Sequence, residues 1–296
     1  MRPTHLDLLE AEAIHILRDG VAEARNPVIL FSGGKDSTVL AHLAVRAFHP
    51  GRCPAPLLHI DSTWEFRDVL AFRDRFAKEH GFSLVVHRNE DGFAQGINPF
   101  EHGDLYTTTM RTEALKQALN KGGYDVIFGG ARRDEEASRA KERVVSVRSA
   151  SHGWDPKNQR PEPWKAWNWR LNAGQSIRAF PLSNWSEHDL WTYIVRNRIE
   201  LAAPYYAAPR QVVERAGKLI VVDEPERMHW LPEDRPHEVT VRFRTLGCWP
   251  VTAATPSAAT TLEDIAMDTF TARTSERQGR ISDNGSLEQQ KRSGYF

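Results

Sequence analysis

The stretch Val28-Ile29-Leu30-Phe31-Ser32-Gly33-Gly34-Lys35-Asp36-Ser37-Thr38-Val39-Leu40 limits the fold more than any other part of the chain. Its unbroken apolar run reads as a strand buried on both faces. Apolar residues at helical spacing follow (Val39, Leu40, Leu43, Ala44, Ala47, Phe48), and His49-Pro50-Gly51 ends them. The joint carries two glycines, a lysine and two serines. Unpaired N–H groups at a helix start favour an anion, and glycines let the backbone approach it closely. A Walker A loop needs Gly-Lys-[Ser/Thr], and here Asp36 follows Lys35. A dinucleotide fingerprint needs a third glycine in register, which this loop lacks. A Ser-Gly-Gly-Lys-Asp-Ser phosphate loop remains: Ser32, Gly33, Gly34, Lys35, Asp36 and Ser37.

The alternation of helix and strand recurs. Leu6, Leu9, Ala13, Ile16, Leu17 and Val21 share one helical face ahead of the loop. Residues 56–61 read as a strand, 66–80 as a helix ending at Gly81, and 83–87 as a third strand. Residues around 96–103 read as a loop. A helix over 109–121, closed by Gly122-Gly123, precedes a fourth strand at 124–130. This spacing predicts an α/β fold with a doubly wound, mostly parallel sheet. From Trp154 the texture changes, and six of the nine tryptophans lie between Trp154 and Trp191. Residues 154–175 read as a long ordered loop whose tryptophans serve burial, and 176–185 as a strand. Ser186-Glu187-His188-Asp189 opens a helix as a capping box. Residues 262–283 read as helical. The predicted division is a nucleotide-binding α/β domain over 1–200 and a less regular C-terminal extension over 201–296. The extension is expected to complete the site and contact a partner.

Lys and Arg number 39 against 39 Asp and Glu, so no global basic field draws the chain to nucleic acid, and an anion site has to be local. Such a site is suggested after the fourth strand, where Arg132, Arg133, Arg139, Lys141 and Arg143 fall within twelve residues. The plainer reading for Arg139, Lys141 and Arg143 is a solvated helix with pairs such as Glu135–Arg139. Cys53 and Cys248 are the only cysteines, too few for a zinc knuckle, an iron–sulfur cluster or a CxxC pair. Cys248 reads as a buried thiol beside Trp249, and His59 as a strand histidine with a satisfied hydrogen bond. The first residues do not read as a secretory signal, and no apolar run approaches the roughly 20 residues that span a bilayer. A cytoplasmic protein without membrane contact is expected.

The loop SGGKDS resembles the PP-loop of the ATP pyrophosphatase superfamily, whose members cleave ATP between the α and β phosphates. The segments LLHIDSTWEFRDVLAFRDRFA, GINPFEHG, TEALKQALNKGGYDVIFGGARRDEEASRAKER, WDPKNQRPEPW, SIRAFPLSNWSEHDLW and VRFRTLGCWP narrow it further. With them, the chain resembles the small catalytic subunits of heterodimeric bacterial sulfate adenylyltransferase from about His5 to Phe296. The resemblance implies an enzyme that converts ATP and sulfate to adenosine 5′-phosphosulfate and pyrophosphate. This is the first step of sulfate assimilation towards cysteine. It also implies a larger GTPase subunit whose GTP hydrolysis drives the reaction. Ser32 to Ser37 are expected to hold the β and γ phosphates. Ile60 and Asp61, with Gly129 and Gly130, are expected at the adenosine. Arg132, Arg133, Arg242 and Arg244 are expected at the sulfate and α-phosphate. Mg²⁺ is expected with ATP, held mainly by phosphates and water, with Asp36 as the one candidate protein contact.

Several positions depart from that family's pattern. Ser62 stands where threonine is usual, Glu65 where lysine is usual, and residues 104–109 lack a histidine that the family shows. They leave open a paralogous PP-loop adenylyltransferase working on another oxyanion or in a specialised pathway. A reductase of phosphoadenosine phosphosulfate would carry a catalytic cysteine near its C-terminus, and the ending QKRSGYF has none. The polar segment 272–283 is expected to be either a docking surface for the partner or a solvated tail.

Overall fold

In the computed structural model, which describes residues 2–135 and 137–272, a parallel sheet grows from the strand that opened the sequence reading. Helix α1 (His5–Glu23) starts at a Thr4 cap whose hydroxyl accepts from Asp7 N–H, and Asp7 returns the bond. Then follow β1 (Pro27–Leu30), α2 (Lys35–Phe48), β2 (Leu57–Ile60), α3 (Arg67–Glu79), β3 (Leu84–His87) and α4 (Glu90–Ala94). Next come α5 (Pro99–Thr107), a π-helical segment Thr108–Glu113, α6 (Ala114–Gly122), β4 (Val126–Phe128), a short α7 (Ala137–Ala140), β5 (Val145–Arg148), β6 (Ser176–Ala179) and α8 (Glu187–Asn197). The strand order is β3-β2-β1-β4-β6-β5, with β5 antiparallel and the others parallel. The chain moves outward from β1 through β2 to β3, then returns to place β4 on the other side of β1. A topological switch point therefore lies between β1 and β4, where α/β sheets bind ligands.

Alternation along the strands sorts the two faces. Ile29, Leu57, Val126 and Phe128 pack with Leu17, Val39, Leu43, Phe72 and Ile194 from α1, α2, α3 and α8. Val28, Leu58 and Ile127 face Leu115, Ala118 and Leu119 of α6. Each such side chain contributes about 1.5–3 kcal/mol on burial. Gly123, in the left-handed region at φ 62°, ends α6 as the double glycine predicted. The capping box at Ser186 and Asp189 is also formed.

Three parts differ from the sequence reading. Of the residues around 96–103 read as a loop, 96–98 are one, but from Pro99 the chain is already in α5, because Asn98 caps it and Pro99 occupies its first turn. Strand β5 was hidden by its polar residues Ser146 and Arg148, which are nonetheless buried. The third difference is in the extension after residue 200. Strands β7 (Ala208–Arg215), β8 (Lys218–Val221), β9 (His237–Arg242) and β10 (Ala253–Pro256) close a regular barrel in the order β10-β8-β7-β9. The β7–β8 hairpin turns on Ala216 and Gly217, with φ 49° and 70°, the pair of positive angles that a two-residue hairpin needs. Val212, Val213, Ile220 and Val241 of the barrel join the same core as the sheet. Helix α9 (Leu262–Thr271) follows, and the rest of the helix predicted to residue 283 lies outside the described residues.

The tryptophan-rich loop is ordered by what it covers. Glu162 accepts from Val144 N–H (3.2 Å) and Val145 N–H (2.8 Å), and Gln159 exchanges bonds with Val147. The loop thereby satisfies the open edge of β5 as a further strand would. Trp154 and Trp169 are buried, and Trp169 donates its indole N–H to Asp19 at 2.5 Å. Trp164 is 96% exposed, so of the two expected forms of burial, against the chain or against a partner, it does not take the first.

Burial makes the fold sensitive to acid. First through burial and then through nearby cations, His42 and His152 are held down to about 4, and His59 is also pushed down. The unfolded chain protonates these rings near pH 6.5, while the folded chain keeps them neutral. Their stabilisation is complete above pH 6.5 and is lost as pH falls towards 4, with a slope of up to about 1.4 kcal/mol per pH unit for each ring. Urea midpoints should therefore fall between pH 6.5 and 4, and His42→Gln and His152→Gln should flatten the curve. An unaltered pH profile in both variants would refute this account.

Candidate functional site

A cleft of about 240 Å³ opens at the carboxyl ends of β1, β2 and β4. One end is apolar, formed by Leu30, Leu58, Ile60, Leu115 and Leu246. The other is polar, formed by Ser32, Asp36, Ser37 and Gly130, with Arg111, Glu135 and Arg139 at its side. The loop from β1 enters the polar end. Gly33 takes φ +75° with Val69 pressed against it, so a side chain fits neither the angle nor the space. Gly34 begins α2 with no side-chain cap. Ser32 Oγ lies 3.2 Å from Ser37 Oγ and accepts from Gly34 N–H at 3.3 Å. Lys35 N–H donates to Tyr205 Oη at 2.7 Å, so the segment after residue 200 holds the loop from outside the sheet.

Behind the loop lies a buried charge cluster. Lys35 Nζ sits 2.9 Å from one oxygen of Asp36, and Arg132 Nε sits 2.6 Å from the other. Burial opposes ionisation of Asp36, but the adjacent Lys35 and Arg132 charges outweigh it and hold the carboxyl well below the usual carboxylate range. Asp36 thus stands between two cations, and Asp134 lies 3.6 Å from Arg132 on another side. Gly130 lets the two segments meet, since a Cβ there would lie 2.9 Å from the Asp36 backbone carbon.

The other expected site residues are distributed unevenly. Ile60 lines the cleft, whereas the Asp61 carboxylate accepts from Thr63 N–H at 2.8 Å and so closes a turn. Gly129 N–H donates to Ala179 O, continuing the β4–β6 ladder. Arg133 turns away, reaching Asn184 Oδ1 at 2.6 Å and the Glu142 carbonyl. Arg242 is buried against Asp268 (3.3 Å) and Ser257, and Arg244 lies 3.5 Å from Glu187. Strand β9 ends at Arg242, so the two arginines do not share a strand face as expected. Of the four arginines, only Arg132 meets the phosphate loop, and it does so through Asp36.

In their place the structure brings Arg139 and Arg111 to the cleft. Arg139 is 9% exposed, pairs with Glu135 at 3.1 Å, and keeps a buried Nη1 without a hydrogen-bond partner. The expected Glu135–Arg139 pair is therefore real, and it stands on the cleft wall rather than on a solvated face. Arg111 comes from the π-helical segment, and no pattern in the sequence marked it or Tyr205. Lys141 and Arg143 are exposed. His59 Nδ1 lies 2.9 Å from Phe31 O, the hydrogen bond expected of a strand histidine, while its buried Nε2 has no partner. Cys248 is fully buried, and burial pushes its thiol up, as a structural thiol requires. Both oxygens of Asp36 already meet a cation, and the described residues contain no group of three or more His, Cys, Asp or Glu that could hold a metal.

Residues 26–254 match the phosphoadenosine phosphosulfate reductase domain family. The sulfate adenylyltransferase subunit 2 of Methylorubrum extorquens is 58% identical, covering 100% of this chain and 96% of that protein. The subunit 2 of Aeromonas hydrophila is 57% identical, covering 100% of this chain and 99% of that protein. Among solved structures, Candida glabrata FMN adenylyltransferase superposes with a TM-score of 0.50 at 12% identity, covering 94% of this chain and 88% of that one. At that identity the likeness concerns the fold alone.

The charge cluster and the glycine contact make separate predictions. Asp36→Ala removes the anion that two buried cations share and should cost about 3 kcal/mol. Gly130→Ala forces α2 away from β4 and should cost about 1–3 kcal/mol. Urea unfolding of the two variants reads both, and an unchanged midpoint in either would contradict the packing described.

Proposed function

Because the chain belongs to the family of sulfate adenylyltransferase subunit 2, built on the phosphoadenosine phosphosulfate reductase domain, we propose that the cleft at the β1–β4 switch point is where ATP is adenylyl donor to sulfate. The observation that carries this assignment is the uncapped start of α2, backed by Lys35, Asp36 and Arg132 and facing an apolar pocket end. A polyanion at the loop and a base between Leu58, Ile60, Leu115 and Leu246 match the two ends. In this reading Ser32, Gly33, Gly34, Lys35, Asp36 and Ser37 form the cradle of the β and γ phosphates. Ile60 and Asp61, with Gly129 and Gly130, border the adenosine.

A sulfate oxygen attacks the α-phosphorus. The bond from that phosphorus to the bridging oxygen breaks, and pyrophosphate leaves with the electron pair. No general base is needed, since sulfate is already ionised. The requirement is positive charge arranged in advance around the crowded oxygens. Arg139 and Arg111 take this role, because Arg133, Arg242 and Arg244 are engaged elsewhere and Arg132 acts through Asp36. Magnesium enters with ATP as the companion of its phosphates, without Asp36 as a ligand, and supplies further charge neutralisation there.

The residues from 201 onward complete the site through Tyr205 and Leu246, which supports the division near residue 200. The name subunit 2 of the relatives implies a multisubunit enzyme. We assign the partner as a GTPase large subunit that drives the uphill formation of the mixed anhydride. The segment 272–283, expected as its docking surface, lies almost wholly outside the described residues. No described helix is long and apolar enough to cross a membrane.

Pyrophosphate release from MgATP tests the assignment, with sulfate, with molybdate and with neither, in the presence and absence of the GTPase subunit. Release should require one of the oxyanions and rise with partner and GTP. Lys35→Ala and Arg139→Ala should each lower kcat/KM by about 10²–10³-fold. Release indifferent to every sulfate-like anion would overturn the reading.

A further inference from the structure

Ser62, Glu65, Tyr106 and Cys248 meet in one network outside the cleft. Ser62 donates its N–H to Glu65 Oε1 at 3.1 Å, and its hydroxyl donates to the same oxygen. Tyr106 Oη donates to Ser62 Oγ at 2.9 Å and lies 2.8 Å from Cys248 Sγ. A carboxylate only accepts, so the Ser62 proton points to Glu65. The tyrosine also reaches the Ser62 carbonyl at 3.2 Å, and Cys248 Sγ lies 3.3 Å from Ser62 Oγ as well. Burial pushes both Tyr106 and Cys248 up, so both keep their protons at neutral pH. The result is a hydrogen-bonded network of thiol, phenol and hydroxyl that ends on the carboxylate, in which each bond strengthens the next. Ser62, Tyr106 and Cys248 are all buried, and Glu65 Oε2 is a buried oxygen with no hydrogen-bond partner.

The network joins three segments that frame the cleft. Ser62 comes two residues after Ile60, Tyr106 comes five before Arg111, and Cys248 comes two after Leu246, all three of which line the cleft. Glu65 and Cys248 are also paired through their backbones. An independent sign of constraint lies in the same turn: Thr63, β-branched, is held at φ 69°. Asp61 binds its N–H, and Arg227 donates to its carbonyl at 2.7 Å. Backbone strain of this kind persists only where the surroundings over-determine it, and it gathers near functional sites.

We propose that Glu65 is a positioning residue for ATP: as terminal acceptor of the network it sets the spacing of Ile60 and Leu246 around the apolar end of the cleft. The proposal rests on the reading of that cleft as the ATP site. It makes substrate affinity, not turnover, the quantity that the network controls, because none of its members reaches the polar end.

Steady-state kinetics of the full chain with its partner subunit test it. Glu65→Ala should raise KM for MgATP about tenfold, with kcat and KM for sulfate within about twofold. Glu65→Gln keeps an oxygen that accepts from Ser62 and should bring KM back to within about threefold of the parent. Tyr106→Phe removes one hydroxyl and should raise KM about threefold, less than additively with Glu65→Ala. It also serves if Glu65→Ala does not fold. A lowered melting temperature with KM for ATP unchanged in these variants would reduce the network to a structural tie and overturn the proposal. A raised KM that Gln fails to rescue would overturn it as well, by showing that charge and not position matters. If Arg139→Ala acts and the network variants do not, the proposal alone fails. If neither moves KM or kcat, the cleft reading fails with it.

Discussion

The carboxylate of Asp36, held between Lys35 and Arg132, is the contact on which the rest of the site depends. Each cation alone would be expensive to bury, and each is nonetheless almost without solvent exposure. Their common anion belongs to the first turn of α2, so forming the cluster also fixes where that helix begins. Arg132 follows the end of β4, and the same contact therefore ties the two sides of the switch point together. The absence of a side chain at Gly130 permits that approach. In the proposed ATP site the two cations are thus already in place, with a geometry set by packing rather than by a ligand.

The barrel extends this logic. Tyr205 reaches back to the backbone of Lys35, and Leu246 supplies part of the apolar wall. The barrel's apolar residues share the core of the sheet. The parts are therefore folded against each other before any substrate arrives, and reaction energy need not be spent on assembling them. Arg242 is consistent with this arrangement. Its pairing with Asp268 fastens the barrel to α9, a use of arginine that stabilises without facing a substrate.

The sheet, the phosphate loop and the helix caps were legible in the sequence because each rests on local chemistry: an apolar run, a glycine turn, a serine followed by an aspartate. The barrel was not, since its strands are short and its closure depends on pairings between distant segments. Strand β5 escaped for a related reason. Its Ser146 and Arg148 look exposed by composition, yet a partner from elsewhere in the chain, Glu142, neutralises the arginine inside the fold. The arginines show the same limit within the site. A basic run announces that charge will be concentrated, but which members meet a ligand depends on where the acids fall in space. Glu187 and Asp268 took Arg244 and Arg242, while Arg139 kept a nitrogen for the cleft.

That limit bears on Glu65 as well. In the sequence it reads as a charge placed close to the end of β2. In three dimensions the glutamate faces not the cleft but Ser62, whose own hydroxyl is bound by Tyr106. A half-buried carboxylate oxygen needs a donor, and Ser62 supplies both its N–H and its hydroxyl to Glu65 Oε1. The residues are therefore coupled: Glu65 is held by Ser62, and Ser62 is oriented by Tyr106. Under the proposed reading such a set governs how firmly the apolar walls of the cleft are held, apart from the Asp36 cluster at its other end.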